Sequence, residues 1–108
     1  MAELKITGKE FNQEIIQSST PVLVDFYADW CGPCKMLSPV ISQIAEEHED
    51  GLKVVKVNVD EAQDLAIKFQ IRSIPTLMYF QEGKVKGTSL GLLDKESLER
   101  KLLEWGGK

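Results

Sequence analysis

Histidine and cysteine are almost absent from this chain. Its 108 residues hold one histidine, His48, and two cysteines, Cys31 and Cys34. A structural zinc site needs four ligands. These three fall short, and His48 lies about four helical turns past Cys34, roughly 20 Å along a helix. Zinc would therefore require carboxylates or a second chain. Long apolar runs are missing too, none approaching the roughly 20 residues of a membrane span. Met1-Ala2-Glu3-Leu4-Lys5 lacks the apolar core of a signal peptide, so the expected compartment is the cytoplasm. There, a lone cysteine pair is more often catalytic or metal-binding than structural. Basic blocks are also lacking. The 13 Lys and Arg are scattered among 17 Asp and Glu, for a net charge of −4, so no nucleic-acid partner is expected. There is no repeat, low-complexity tract or linker. With 43% hydrophobic residues the chain can fill one core, and residues 1–108 read as a single domain.

Both cysteines stand in Trp30-Cys31-Gly32-Pro33-Cys34. This segment follows the apolar run from Pro21 to Ala28 and opens a helical pattern. A C-x-x-C between a strand and a helix is a redox signature. Residues i and i+3 are neighbours on one helix face, so two sulfurs at this spacing can close a disulfide ring. The helix N-terminus offers unpaired N–H groups and the positive end of the dipole. Both favour a thiolate at Cys31, the expected nucleophile, with an exposed sulfur. Cys34, one turn in, is expected to be buried and to resolve the mixed disulfide.

Periodicity predicts the order βαβαβαββα. Leu4 to Ile6 reads as a strand, and Thr7 with Glu10 as a capping box before a short helix carrying Phe11, Ile15 and Ile16. Val22 to Tyr27 is apolar at nearly every position, as in a strand buried on both faces. Leu37, Val40, Ile41, Ile44 and Ala45 follow helical spacing, with Pro39 expected to kink the helix and Asp50-Gly51 to end it. Leu52 to Val59 is the next strand. Asp60 is expected to cap a helix from Ala62 to Phe69. Thr76 to Phe80 and Lys84 to Leu90 form an antiparallel hairpin around Gln81-Glu82-Gly83. Asp94 caps a last helix with Leu98, Leu102 and Trp105 inward, ended by Gly106-Gly107. The early βαβ units require right-handed parallel crossovers, giving an α/β mixed sheet with helices on both faces. The strand order does not follow from this pattern.

Two charged residues stand out within the strands. Asp25 lies between Val24 and Phe26, and a buried carboxylate is costly unless paired or protonated. A place near a solvated sheet edge is the alternative. Lys56 sits between Val55 and Val57, although alternate strand residues often face solvent. If their strands are neighbours, the two could share a pocket below Cys34. Trp30 is expected to be partly exposed, Trp105 to anchor the core, and His48 to sit on a helix surface without a role.

The chain resembles the thioredoxin family, bacterial type, over its whole length. The resemblance rests on Val24-Asp25-Phe26-Tyr27-Ala28-Asp29-Trp30-Cys31-Gly32-Pro33-Cys34-Lys35, Lys56, Ile74-Pro75-Thr76, Gly83 and Gly91. The Gly-Pro dipeptide between the cysteines is the specific part, since glutaredoxins and periplasmic disulfide oxidases usually carry other residues there. The resemblance implies the thioredoxin fold, with the Cys31–Cys34 redox disulfide at a strand's C-terminal end. Asp25 would accept the proton of the resolving thiol, and Lys56 would modulate its pKa. Ile74-Pro75 would be cis and face the cysteines. Trp30, Gly32, Pro33, Ile74, Pro75 and Gly91 would form a small apolar docking surface. The implied activity is protein-disulfide reduction by a monomeric electron carrier that binds no cofactor or metal. Its partners would be disulfide-containing proteins and a thioredoxin reductase that delivers electrons from NADPH. Three features depart from the family pattern: Tyr27 replaces a usual tryptophan, Ser73 a common glycine, and Leu90 and Leu92 flank Gly91 where smaller residues are usual.

Two other readings remain open. A disulfide oxidase or isomerase would differ in redox potential. A binding module with incidental redox chemistry would keep its binding when both cysteines are replaced by serine.

Overall fold

The computed structural model describes residues 3–106. The elements are β1 (Glu3–Ile6), β2 (Val22–Tyr27), α1 (Gly32–Glu47), β3 (Lys53–Asn58), α2 (Gln63–Lys68), β4 (Thr76–Gln81), β5 (Lys84–Leu90) and α3 (Lys95–Trp105). The strands form one sheet in the order β1-β3-β2-β4-β5. β3 pairs in parallel with β1 and β2, whereas β4 pairs antiparallel with β2 and β5. The apolar strand β2 thus lies at the centre, where only a two-faced hydrophobic sequence fits.

Because side chains alternate along a strand, each strand feeds two cores. Val22, Val24, Phe26, Val55, Val57, Met78 and Phe80 point to one face, where Phe11, Ile15 and Leu65 cover them. Leu23, Val54, Leu77 and Tyr79 point to the other, beneath Leu37, Ile41 and Ile44 of α1 and Leu98 and Leu102 of α3. Each fully buried aliphatic or aromatic side chain contributes about 1.5–3 kcal/mol. Asp25 lies on the α1 face by the same alternation. Its register partners are Lys56 on β3 and Leu77 on β4.

The helix starts follow the sequence unevenly. Asp94 caps α3 as expected, its Oδ1 accepting the Ser97 N–H at 2.8 Å. The first helix differs: a short π-helical turn, Asn12–Ile16, begins at Phe11 with no side-chain cap. Glu10 Oε1 does accept the Thr7 N–H at 2.8 Å, but the Glu10 N–H donates to the Thr7 carbonyl at 3.2 Å. That bond makes a turn and leaves the capping box half closed. Asp60 does not cap α2, which starts behind Ala62. The Glu61 and Ala62 N–H groups already donate to the Asn58 carbonyl, at 3.1 and 2.9 Å, so the chain turns before the helix begins. Helix α1 runs through Pro39 without interruption. Gly106 closes α3 in the right-handed region, and Gly107 lies outside the described residues. Trp105 is only half-buried; its ring meets Tyr79 at 5.9 Å and covers Gly87, where a Cβ would collide with the indole.

Candidate active site

The C-terminal end of β2 delivers the chain into Trp30-Cys31, and α1 starts at once. Cys31 is the N-cap, with Gly32 and Pro33 in the first turn. Proline suits that position because its missing N–H would have no helical partner there. Cys31 and Cys34 are joined as a disulfide, with Cα atoms 5.2 Å apart. The Cys34 N–H donates to Cys31 Sγ at 3.2 Å. The same donor, with the helix dipole behind it, would stabilise a Cys31 thiolate after reduction.

The expected contrast between an exposed Cys31 and a buried Cys34 is absent from the disulfide form, in which both residues are 5% exposed. Ala28, Tyr27, Val59 and Ile74 pack around the pair. Cys31 Sγ also lies 3.8 Å from the Ile74 carbonyl oxygen, which a thiol could use as an acceptor.

Ile74-Pro75 is a cis peptide. Thr76 Oγ1 donates to the Ser73 carbonyl at 2.7 Å and closes this loop. Pro75 is buried, and Ile74, half-buried, packs on the cysteine pair. The Gly91 N–H donates to the Pro75 carbonyl at 2.9 Å, which sets the β5–α3 connection against the loop. Gly91 has φ +89°, a conformation that a side chain would strain. Trp30 is 70% exposed, as expected of a residue beside a reactive segment.

Asp25 is buried at 2% exposure, and its Oδ1 has no hydrogen-bond partner. Burial pushes its pKa up to about 6, with the positive charge of Lys56 working in the opposite direction. The solvated-edge alternative therefore fails, since β2 is central. Lys56 is half-buried. Its Nζ lies 4.6 Å from the centre of the Tyr27 ring and donates to Ser38 Oγ at 3.4 Å. Asp25 and Lys56 are thus brought together on adjacent strands beneath α1. At the opposite end of β2, beside Pro21, a cleft of about 450 Å³ is lined by His48, Tyr79, Glu99 and Leu102, away from the cysteines.

Two contacts have no counterpart in the sequence pattern. Trp30 Nε1 donates to Asp60 Oδ2 at 2.8 Å, while the Asp60 N–H donates to Asn58 Oδ1 at 2.9 Å. Asp60 therefore anchors the exposed indole instead of capping a helix. The available signal is its place just beyond the C-terminal end of a strand, where α/β sites gather. His48, expected to be idle, sits 2.6 Å from Glu99 Oε1 and links the end of α1 to α3. Nothing in the local pattern announces a contact across 51 residues.

Among the described residues, no group of three or more His, Cys, Asp and Glu could hold a metal ion. No described helix is long and apolar enough to cross a membrane. The family model described as Thioredoxin matches residues 2–104. The thioredoxin of Porphyra purpurea is 49% identical over 102 residues, covering 94% of this chain and 95% of that protein. Thioredoxin 1 of Synechococcus elongatus is 50% identical over 97 residues, 90% of this chain and 91% of that one. The thioredoxin of Pseudomonas aeruginosa is 45% identical over 95 residues, 88% of each.

Proposed function

The chain belongs to the thioredoxin family of protein-disulfide oxidoreductases, and from that premise we propose how its residues divide the work. The observation that carries the reading is the disulfide across the first turn of α1, with its donor N–H on Cys31 Sγ. In the reduced protein, the Cys31 thiolate attacks one sulfur of a substrate disulfide. A Cys31–substrate disulfide forms and the other substrate sulfur leaves as thiolate. Cys34 then loses its proton and attacks Cys31 Sγ. That step restores the Cys31–Cys34 bond and releases the second substrate thiolate. The substrate gains two electrons and leaves as two thiolates, which take protons from solvent; the protein gives up two electrons and its one remaining thiol proton, that of Cys34.

Asp25 accepts the Cys34 proton. A carboxyl poised near 6 is basic enough to take a proton and still ionised near neutral pH. Lys56 keeps that pKa from rising further. Trp30, Gly32, Pro33, Ile74, Pro75 and Gly91 form the surface against which the substrate segment lies. The chain works as one domain and a monomer in the cytoplasm, without nucleic acid, membrane or bound cofactor. A thioredoxin reductase returns the dithiol using electrons from NADPH.

Trapping tests the division of roles. Cys34→Ser should accumulate a mixed disulfide through Cys31 when given a disulfide protein. Cys31→Ser should accumulate little, and alkylation of the reduced protein near neutral pH should label Cys31 first. Mass spectrometry that finds Cys34 labelled first would reverse the assignment.

A further inference from the structure

Tyr27 stands between the sulfurs and the buried charges, and the exchange steps leave it without a task. It takes the place of a usual tryptophan and ends β2 on the face beneath α1. Its half-buried ring packs against the cysteine pair. The Lys56 ammonium lies over that ring, 4.6 Å from its centre. A second cation stands at the hydroxyl end: Glu61, and after it the Tyr27 hydroxyl, hold the Lys5 ammonium above its usual pKa. Lys56 needs a holder. It is half-buried, yet among the described residues no carboxylate oxygen lies at ion-pair distance from it. Its bond to Ser38 Oγ is long, at 3.4 Å. Two carboxylates draw the charge in opposite directions. Asp25 is its register partner on β2. Glu3, on the edge strand β1, is held below the usual carboxylate range by the Ser42 hydroxyl first and more weakly by the Lys56 charge. The other neighbours of Asp25 bring no charge: Leu77 faces it from β4, and the buried groups in the first turns of α1 are Cys34 and Leu37. A flexible four-carbon stem would let the ammonium swing toward Glu3 or solvent. The electron-rich face of a ring favours one place for it.

We propose that Tyr27 is a positioning residue for disulfide exchange: its ring face holds the Lys56 ammonium on the Asp25 side, away from Glu3, while the Cys34 proton is taken. The inference rests on the reading of Asp25 as proton acceptor. It adds to that reading the group that fixes where the opposing charge stands. A nearby positive charge favours the ionised carboxyl, so loss of the ring face makes Asp25 harder to ionise. The hydroxyl is not needed for this, and another aromatic ring can take its place.

Carboxyl NMR titration of Asp25 in the oxidised protein reads the effect without turnover. Lys56→Gln should raise the midpoint by about one pH unit. Tyr27→Leu should raise it by at least about half that amount, whereas Tyr27→Phe and Tyr27→Trp should keep it close to the native value. In a Lys56→Gln background, Tyr27→Leu should add nothing, because the two act through one interaction. The pH at which Cys34-dependent release from a mixed disulfide reaches half its maximal rate should rise with the midpoint. A shift that persists in the Lys56→Gln background overturns the proposal, since packing alone would cause it. An unmoved Tyr27→Leu midpoint removes the proposal alone. A midpoint that moves while release keeps its native pH profile removes the acceptor reading, and the proposal with it. Should Tyr27→Leu fail to fold, the native protein still decides. The Lys56 ε-methylene protons must resonate upfield of those of the exposed Lys84 and Lys86 through the ring current, and ordinary shifts there overturn the proposal.

Discussion

The two faces of the sheet have opposite characters. The face beneath α2 and the π-helical turn is apolar at its centre, where the rings gather, with Thr76 and the Lys53–Glu14 pair at its ends. Phe69 packs against Phe11, Phe26 and Phe80 with ring centres 5.4 to 6.1 Å apart. The face beneath α1 and α3 buries as many aliphatic groups but also holds Asp25, Lys56 and the Tyr79 ring. One face can be optimised for packing alone. The other carries a carboxylate without a partner, a destabilising group that packing does not require. The redox helix covers the second face, so the cost in stability is borne on the side of the sheet that carries the cysteines.

Three substitutions would break or sharpen this contrast. The largest effect on stability should come from the aromatic face. Phe80→Ala should lower unfolding free energy by about 3–5 kcal/mol while leaving thiol-disulfide exchange within about twofold at a temperature where the fold persists. Urea unfolding with a parallel exchange assay checks this, and a proportionate loss of exchange would show that the faces are not separable.

Asp25→Asn should act in the opposite direction. The folded pKa is raised, to about 6. A raised carboxyl pKa contributes stability that is fully present below the unfolded value, near 4, and is lost as pH rises through the folded value. The native protein should therefore lose on the order of 3 kcal/mol between about pH 4 and pH 7 through this group. The amide does not titrate and would erase that slope, so the variant should be more stable at neutral pH, yet slower in the Cys34-dependent step. Unfolding curves across that pH range, or a carboxyl NMR titration of Asp25, decide the matter; an ordinary titration near 4 would remove the argument.

The smallest effect is expected at the solvated margin of the same face. His48→Gln breaks the link to Glu99, but both side chains are about a third exposed or more. Such pairs contribute about 0–1 kcal/mol. A change in midpoint within that range, with unaltered exchange, would show that it is burial, not polarity, that sets Asp25 apart from other polar groups around α1.

Much of this contrast is legible in the sequence. The apolar strands, the hairpin, the Asp94 cap and the redox segment are local patterns, each contained within about fifteen residues. Asp25 is legible as an anomaly, because a charge in a two-faced apolar run costs too much to be kept for packing. What stays hidden depends on contacts distant in sequence. Trp30 meets Asp60 across 30 positions. The residues flanking Asp25 become known only once β3 and β4 are assigned to either side of β2. The Thr7–Glu10 signal misleads because a turn satisfies the same side chains as a cap. The burial of Cys31 involves Val59 and Ile74, which reach it from distant parts of the chain and which no helical rule includes.

The strand order that centres Asp25 also decides which backbones are left without neighbours. β1 and β5 are the edges. An unpaired edge is a template for aggregation between molecules, and lysines or brevity are the common deterrents. β1 is four residues long and carries Lys5 at 53% side-chain exposure. β5 presents exposed Lys84 and Lys86 along its length and reserves its one strongly exposed leucine for the last position. Strand stacking that would knit copies into fibres thus meets exposed lysines on β5 and a strand of only four residues at β1. The most apolar point on the β5 edge is its last residue, Leu90, in register with Thr76 directly after the Ile74-Pro75 loop.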